Sequence, residues 1–327
     1  MQNITFVCCV ESGSLEDPTV RLVQSLRLYG GKFAEAPVVA VTPRWGLPLS
    51  RQTLQRFEQL QVEHLSLRSP MRYSWNNFMN KPLAILAVDE RVKTEAIGWL
   101  DSDMVVVGEP DGLTLAGDES FLACTADAIG ATQGQGDPLE PYWQAIADTL
   151  GLDLEQLPWV TTAEEQLRVR FYFNAGLFVY RRETAFAKCY LDHCSQILDA
   201  RLSSKLCGFF FTDQIALGLT AAKLGLPWRS LPYSYNYSLC SQIYPQWYDP
   251  QKMRNAKIIH YHDGMWNPFW STFLRCMQDT HPQVADWLAA QGALSNKAPY
   301  AYRLLGRGLK EYRKQQSVAY GKTCQVL

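Results

Sequence analysis

Two aspartates flank one small residue in Asp101-Ser102-Asp103, with apolar runs at 96–100 and 104–107 on either side. Unpaired charge beside a core is costly, and a bound divalent cation would account for it. Carboxylate oxygens suit Mg²⁺ or Mn²⁺, whose remaining positions substrate phosphates can fill. A second β-like run, Lys257-Ile258-Ile259, ends in His260-Tyr261-His262-Asp263-Gly264, which holds two of the five histidines of the chain. Imidazole added to two carboxylates favours Mn²⁺ over Mg²⁺. A third patch, Phe173-Asn174-Ala175-Gly176, places one amide beside two side chains too small to block a ligand. In the fourth, Phe209-Phe210-Phe211 is followed by Thr212-Asp213-Gln214 ahead of a helix-like stretch at 215–224. Taken singly, that polar pair reads equally as a turn and helix N-cap.

Such residues need a frame. Residues 4–10 form a short β-prone run that stops at Glu11-Ser12-Gly13-Ser14. Val20, Leu22, Val23, Leu26 and Leu28 follow at helical spacing, and Gly30-Gly31 ends that helix. A strand at 38–42 is bracketed by Pro37 and Pro43, and a helix over 52–60 leads to a strand at 62–65. A helix near 83–88 precedes the strand at 96–100. Strands alternating with helices predict βαβ units and a mostly parallel sheet. In open sheets of this kind ligands bind outside the carboxyl ends of the strands, where Asp101 and Asp103 fall. The loop at 130–141, rich in Gly, Gln and Pro, reads as a lid or insertion. No internal repeat or long linker divides the chain, so one α/β domain over 1–295 is expected, followed by a basic tail over 296–327.

Composition narrows the function classes. The 327 residues carry 31 Lys plus Arg against 32 Asp plus Glu, a net charge of −1, without the basic excess of a nucleic-acid binder. Nine cysteines with no CxxC pair argue against a disulfide framework or zinc ribbon and for reduced, mostly buried thiols of a cytoplasmic protein. Neither a signal peptide nor an apolar run of the ~20 residues needed to span a bilayer is visible. The tail interleaves Arg303, Arg307, Lys310, Arg313, Lys314 and Lys322 with Tyr300, Tyr302, Leu304, Leu305, Leu309 and Tyr312. It reads as a helix packed on the domain, or as a basic interfacial helix in peripheral contact with anionic lipid.

The four patches, in this order, resemble the retaining nucleotide-sugar glycosyltransferases of the GT-A fold. They are most similar to family 8, which includes glycogenin and lipooligosaccharide galactosyltransferases. The resemblance covers roughly residues 1–275 and implies a single Rossmann-like α/β domain with its mostly parallel sheet flanked by helices. It also implies a metal site of Asp101, Asp103 and His260, holding Mn²⁺ (or Mg²⁺) against the donor diphosphate. Asn174, Ala175 and Gly176 match the segment that touches the donor sugar, and Asp213 and Gln214 match the pair beside its reacting carbon. Glu11 and Ser12 occupy the place of the family's base-binding motif without reproducing it. The late motif departs too: the family's Gly comes one residue later, at Gly264, and its Lys-Pro-Trp lysine is absent, which leaves His262 as a rival to His260. The implied activity is hexosyl transfer from a nucleotide-diphosphate sugar, a UDP-hexose, to an unspecified acceptor.

The physical logic stands without the family. Departure of a diphosphate needs charge relief, which a metal supplies as Lewis acid and template. Fixed polar groups such as Asn174, Asp213 and Gln214 can stabilise an oxocarbenium-like sugar, and Lys81 in Asn80-Lys81-Pro82 is a candidate donor to phosphate. The aromatic residues Trp228, Tyr233, Tyr235, Tyr237, Tyr244, Trp247, Tyr248, Trp266 and Trp270 suit a sugar surface or the core. Two other readings compete. A sugar-1-phosphate nucleotidyltransferase would need a Gly-rich basic loop after the first strand, where Val10-Glu11-Ser12-Gly13-Ser14 is acidic. An inactive sugar- or nucleotide-binding relative would account for the missing lysine.

Overall fold

The computed structural model describes residues 3–67, 71–241 and 248–327. Strands β1 (Ile4–Cys9), β2 (Val38–Thr42), β3 (Val62–Ser66) and β4 (Ala96–Leu100) alternate with helices α1 (Glu16–Tyr29), α2 (Arg51–Gln59) and α3 (Asn80–Asp89). Next come β5 (Met104–Val106), β6 (Phe121–Cys124), α4 (Glu140–Thr149), the hairpin β7 (Trp159–Thr161) and β8 (Arg168–Arg170), and β9 (Asn174–Arg181). The chain continues with α5 (Phe186–Asp199), β10 (Leu202–Ser203), α6 (Thr212–Lys223), β11 (Trp228–Ser230), β12 (Tyr237–Ser238), α7 (Pro250–Arg254) and β13 (Ile258–His260). Helices α8 (Trp270–Thr280), α9 (Pro282–Gln291) and α10 (Tyr300–Gly321) and strand β14 (Gln325–Val326) follow.

Seven strands form the central sheet in the order β11-β6-β9-β4-β1-β2-β3. All neighbours are parallel except β9, which runs antiparallel between β4 and β6. Alternation along β1 splits the core, as strand geometry requires. Ile4, Phe6 and Cys8 pack with α1 and α2, whereas Val7 and Cys9 pack with α3 to α6. Every residue of β1, β2 and β4 is buried, as expected for parallel strands covered on both faces. Burying one side chain such as Phe6 stabilises the fold by about 1.5–3 kcal/mol.

A second, three-stranded sheet, β12-β13-β5, stands beside the first, with β13 antiparallel to β5. Its pairing of His260 with Met104 joins chain segments that the sequence keeps far apart.

Two local expectations change. The stretch at 130–141 does not hang over the site: Gly130, Ala131, Thr132 and Gly134 are buried, and α4 already begins at Glu140. A Cβ on Gly130 would lie 2.7 Å from the Phe211 ring, and its carbonyl accepts from the Trp143 indole at 2.9 Å, so this backbone is packing material. Asp213 and Gln214 lie inside the first turn of α6 rather than capping it, and the N-cap, Phe211, makes no side-chain cap bond.

Along α10, Tyr302, Gly306, Leu309, Arg313, Gln316 and Tyr320 form the covered face, at spacings of three and four residues. Tyr320 donates to Leu198 O at 2.6 Å and packs on Trp75 and Phe209, and β14 pairs with β10. Tyr300, Leu304, Leu305, Tyr312 and Val318 face outward. Among the described residues no helix is long and apolar enough to cross a membrane, and no disulfide forms.

Candidate active site

Parallel strands β1, β2 and β4 end on one edge, at Glu11, Arg44 and Asp101, while β9, α3 and α6 begin there. Antiparallel pairing of β9 with β4 sets Leu177 against Leu100, and the Asp101 amide donates to Gly176 O at 2.8 Å. The Asn174-Ala175-Gly176 segment is thereby fixed beside the paired acids.

Lys81, in the first turn of α3, is buried among oxygens. Its ammonium donates to Ala175 O at 2.6 Å and lies 3.3 Å from Asp101 Oδ1 and 3.2 Å from Asp213 Oδ2. A lysine has three N–H donors, and in this structure three protein oxygens surround them. Burial alone would lower the Lys81 pKa, yet Asp101 and Asp213 reverse it and hold the amine charged. Burial raises the Asp213 pKa against the pull of Lys81, and Asp213 Oδ1 is left buried without a partner. Asp101 Oδ1 also accepts from the Trp99 indole at 2.7 Å.

The second half of the site comes from the small sheet. The Tyr261 amide donates to Asp103 O at 3.0 Å, and His260 Nε2 lies 3.2 Å from Asp103 Oδ1. His262, held at φ +50°, stacks on His260 with ring centroids 3.8 Å apart. The ligand atoms of Asp103, His260 and His262 all lie within 4.8 Å of one another, a donor set that fits a divalent cation. Burial raises the Asp103 pKa, but the adjacent His260 outweighs it and brings it down to about 2. Burial lowers that of His260 while Asp103 raises it further, for a net rise; burial and the charge of His260 bring His262 down to about 4.

An amide relay orients the imidazole. Asn236 Oδ1 faces His260 Nδ1 at 3.0 Å, Asn236 Nδ2 donates to Asn174 Oδ1 at 2.9 Å, and Asn174 Nδ2 donates to Asp127 Oδ2 at 3.2 Å. A histidine fixed through Nδ1 presents Nε2 as ligand, which is how outer partners set the tautomer at metal sites. Gln214 is clamped similarly: its Oε1 accepts from the Ala175 amide at 3.0 Å and its Nε2 donates to Tyr172 Oη at 2.7 Å.

These groups line a cavity of about 510 Å³, and Phe78, Lys81, Asp101, Asp103 and His262 are shared with a second of about 420 Å³ that reaches Cys9, Glu11 and Arg44. The Glu11 carboxylate accepts from the Arg44 fork and from Asn80 Nδ2 at 3.0 Å, so it is already engaged. Ser12 lies further out, in a groove that Glu11 and Arg44 also line. Glu164 hydrogen-bonds Tyr233 at the opposite wall, and burial raises its pKa to about 7.

Residues 6–225, about two thirds of this charge-lined α/β frame, match the Rhodobacterales glycosyltransferase domain. The chain belongs to that glycosyltransferase family. Its fold is that of the GT-A enzymes: the galactosyltransferase LgtC, solved with donor and acceptor sugar analogues, superposes with a TM-score of 0.52. That pairing has 14% identity and covers 91% of this glycosyltransferase and 99% of LgtC. The bifunctional glycosyltransferase WbbM (TM-score 0.49, 12% identity) aligns over 89% of the chain, which spans about half, 52%, of WbbM. GlyE of Streptococcus pneumoniae (TM-score 0.49, 13% identity) aligns over 91% of the chain and 67% of its own. No curated protein matches the sequence significantly.

The structure thus gathers Lys81, Asp101, Asp103, Asn174, Ala175, Gly176, Asp213, Gln214 and His260 at one candidate site, and sets Glu11 and Ser12 at its outer end. Sequence reasoning missed Asn236 and Asp127, which reach the site through tertiary pairing and carry no local motif, whereas Tyr172 and Trp99 lie two residues before Asn174 and Asp101, where only their side-chain partners were not legible. Of the aromatic residues singled out, Tyr248 and Trp266 face the cavities, and Tyr235 and Tyr237 are buried in the core. Tyr244 and Trp247 lie outside the described residues.

Gly176 has a physical reason. A Cβ there would sit 2.7 Å from His260 Cε1 and 2.8 Å from Met104 Cε. Gly176→Ala is therefore expected to push the imidazole off Asp103, weakening Mn²⁺ binding at least tenfold while leaving the melting temperature within a few degrees. Titration calorimetry checks this; unchanged Mn²⁺ affinity would mean that the ring does not need the space.

Proposed function

We propose that this glycosyltransferase moves a hexose from a nucleotide-diphosphate sugar, a UDP-hexose, in a metal-dependent reaction that retains anomeric configuration. The observation that carries the reading is the convergence of the Lys81–Asp101–Asp213 trio and the Asp103–His260 pair on one cavity at the carboxyl edge of the sheet. Asp101, Asp103 and His260 would hold the ion, Mn²⁺ before Mg²⁺ because imidazole joins the carboxylates, and His262 stands close enough to take a position as well. When bound, the ion supplies Lewis-acid relief to the departing diphosphate.

The residues of the chain do the rest. Asp213 lines the cavity and its Oδ1 has no hydrogen-bond partner, which leaves this carboxylate an acceptor for a sugar hydroxyl. Lys81 offsets the charge of the acids so that they remain together in a buried site. Gln214 Oε1 retains one lone pair beyond the Ala175 bond and is rigidly aimed, as stabilisation of developing positive charge requires. A carboxamide cannot deprotonate an alcohol, so Gln214 suits a retaining reaction, in which the leaving diphosphate takes the acceptor proton.

Gln214→Ala should slow turnover by about 10²–10³ with nucleotide affinity nearly unchanged, the pattern of an interaction made mainly in the transition state. Screening UDP- and GDP-sugars with Mn²⁺ for nucleotide release identifies the donor, and activity with a GDP-sugar alone would overturn the UDP assignment. NMR of the anomeric proton decides the stereochemistry: a β-linked product from an α-linked donor refutes retention. Outward-facing Leu304, Leu305 and Tyr312 beside Arg303 and Arg307 on α10 support peripheral contact with anionic lipid, for an enzyme whose cysteine usage suits the cytoplasm.

A further inference from the structure

We infer that α10 forms one wall of the nucleotide end of the donor site and that Arg313 is a specificity-determining residue there; this rests on the donor reading above. A groove of about 550 Å³ lies between α10 and the carboxyl ends of β1 and β2, within the size range of small-ligand sites. It shares Glu11, Ser14, Leu15, Arg44 and Asn77 with the cavity that holds Asp101, Asp103 and Lys81. A diphosphate near Asp103 therefore has its nucleoside directed along this groove.

The lining suits that occupant. The lining carries four cations, Arg44, Lys310, Arg313 and Lys314, and one carboxylate, Glu11, while Leu47, Trp75 and Leu309 offer apolar surface to a base. The Glu11 carboxylate is taken by the Arg44 fork and Asn80, so it holds cations in place instead of meeting the ligand itself. Arg313 completes this cluster from α10: one guanidinium nitrogen lies 3.8 Å from Glu11 Oε2, and the other donates to Trp45 O at 2.6 Å. Its side chain is only 15% exposed, and burial followed by the neighbouring Arg44 lowers its pKa. A half-desolvated cation beside a second guanidinium gains from an electron-rich ligand. Gly306 lies two turns earlier on the same face, and a Cβ there would be 3.9 Å from Leu47 Cδ1, so nothing on α10 fills the groove at that level.

Titration calorimetry on the full chain with Mn²⁺ tests the inference, using UDP, GDP and pyrophosphate as probes. Arg313→Ala should weaken whichever nucleoside diphosphate binds the wild type by about ten- to hundredfold, the loss of one charge-assisted contact, and leave pyrophosphate unchanged. Gly306→Leu, which favours the helix and fills the groove, should give the same selective loss. A merely structural role for α10 would weaken pyrophosphate and nucleotide together, and that result overturns the inference. So does nucleotide binding at wild-type strength in both variants, with the donor reading left standing. Wild-type protein that binds neither nucleotide nor pyrophosphate with Mn²⁺ overturns the donor reading itself.

Discussion

Asp103→Asn is expected to abolish the Mn²⁺-dependent rise in melting temperature that the proposed function predicts UDP to give the wild-type protein. A ligand held only by the native state stabilises it by about 2.7 kcal/mol at a hundredfold excess over Kd, so the lost shift amounts to several degrees. The substitution keeps the side chain's shape and removes the charge that pairs with His260. It also moves the pH dependence. In the metal-free wild type His260 titrates above its ordinary 6.5, so an incoming ion competes with a proton and metal affinity begins to weaken above that pH as acid is added. Without Asp103 that onset moves to lower pH. His262, with its pKa near 4, is neutral throughout this range, so His262→Ala leaves the onset in place while His260→Ala removes it. A full UDP shift in Asp103→Asn would show that the ion sits elsewhere. The same shifts bear on the metal-free fold: Asp103 contributes stability above 3.8 that is lost as pH falls towards 2, and the His260 contribution, present below 6.5, is lost as pH rises.

Lys81→Met leaves two acids beside the core without their counter-charge. Removing one partner of a buried ion pair costs about 3–5 kcal/mol, because the remaining charge stays desolvated. Urea denaturation at pH 7 should register a loss of that size, and the variant should recover stability as pH falls and Asp213, already shifted upward by burial, takes up a proton. In the wild type the Lys81 contribution is present below 10.5 and lost only as pH rises through its higher folded value. A variant as stable as wild type across this range would mean that water reaches Asp213.

The elements most legible in the sequence were those with local punctuation. Pro37 and Pro43 bracket β2, Gly30-Gly31 closes α1, and β4 and β5 appear as apolar runs around Asp101 and Asp103. Site residues carried by short motifs at strand ends were legible for the same reason. Lys81 was visible as a polar residue ahead of β4, but its three oxygen partners come from residues 101, 175 and 213, and no local pattern encodes that meeting. Asn236 was invisible because it lies in the short turn before β12, and only the pairing of β12 with β13 brings it to His260. The stretch at 130–141 misled because its glycines suggest freedom, whereas Gly130 is glycine to let Phe211 approach.

One residue, through the two peptide units that flank it, ties the two halves of the candidate site together. The carbonyl of Ala175 receives Lys81 beside Asp101, and its amide holds Gln214. A sugar that tightens Gln214 should therefore also be felt at Lys81, and the reverse, since any coupling between sites is reciprocal. If the donor binds as proposed, recognition on this scaffold should be cooperative: a nucleotide and a free hexose offered separately would forgo the coupling that an intact donor gains through Ala175.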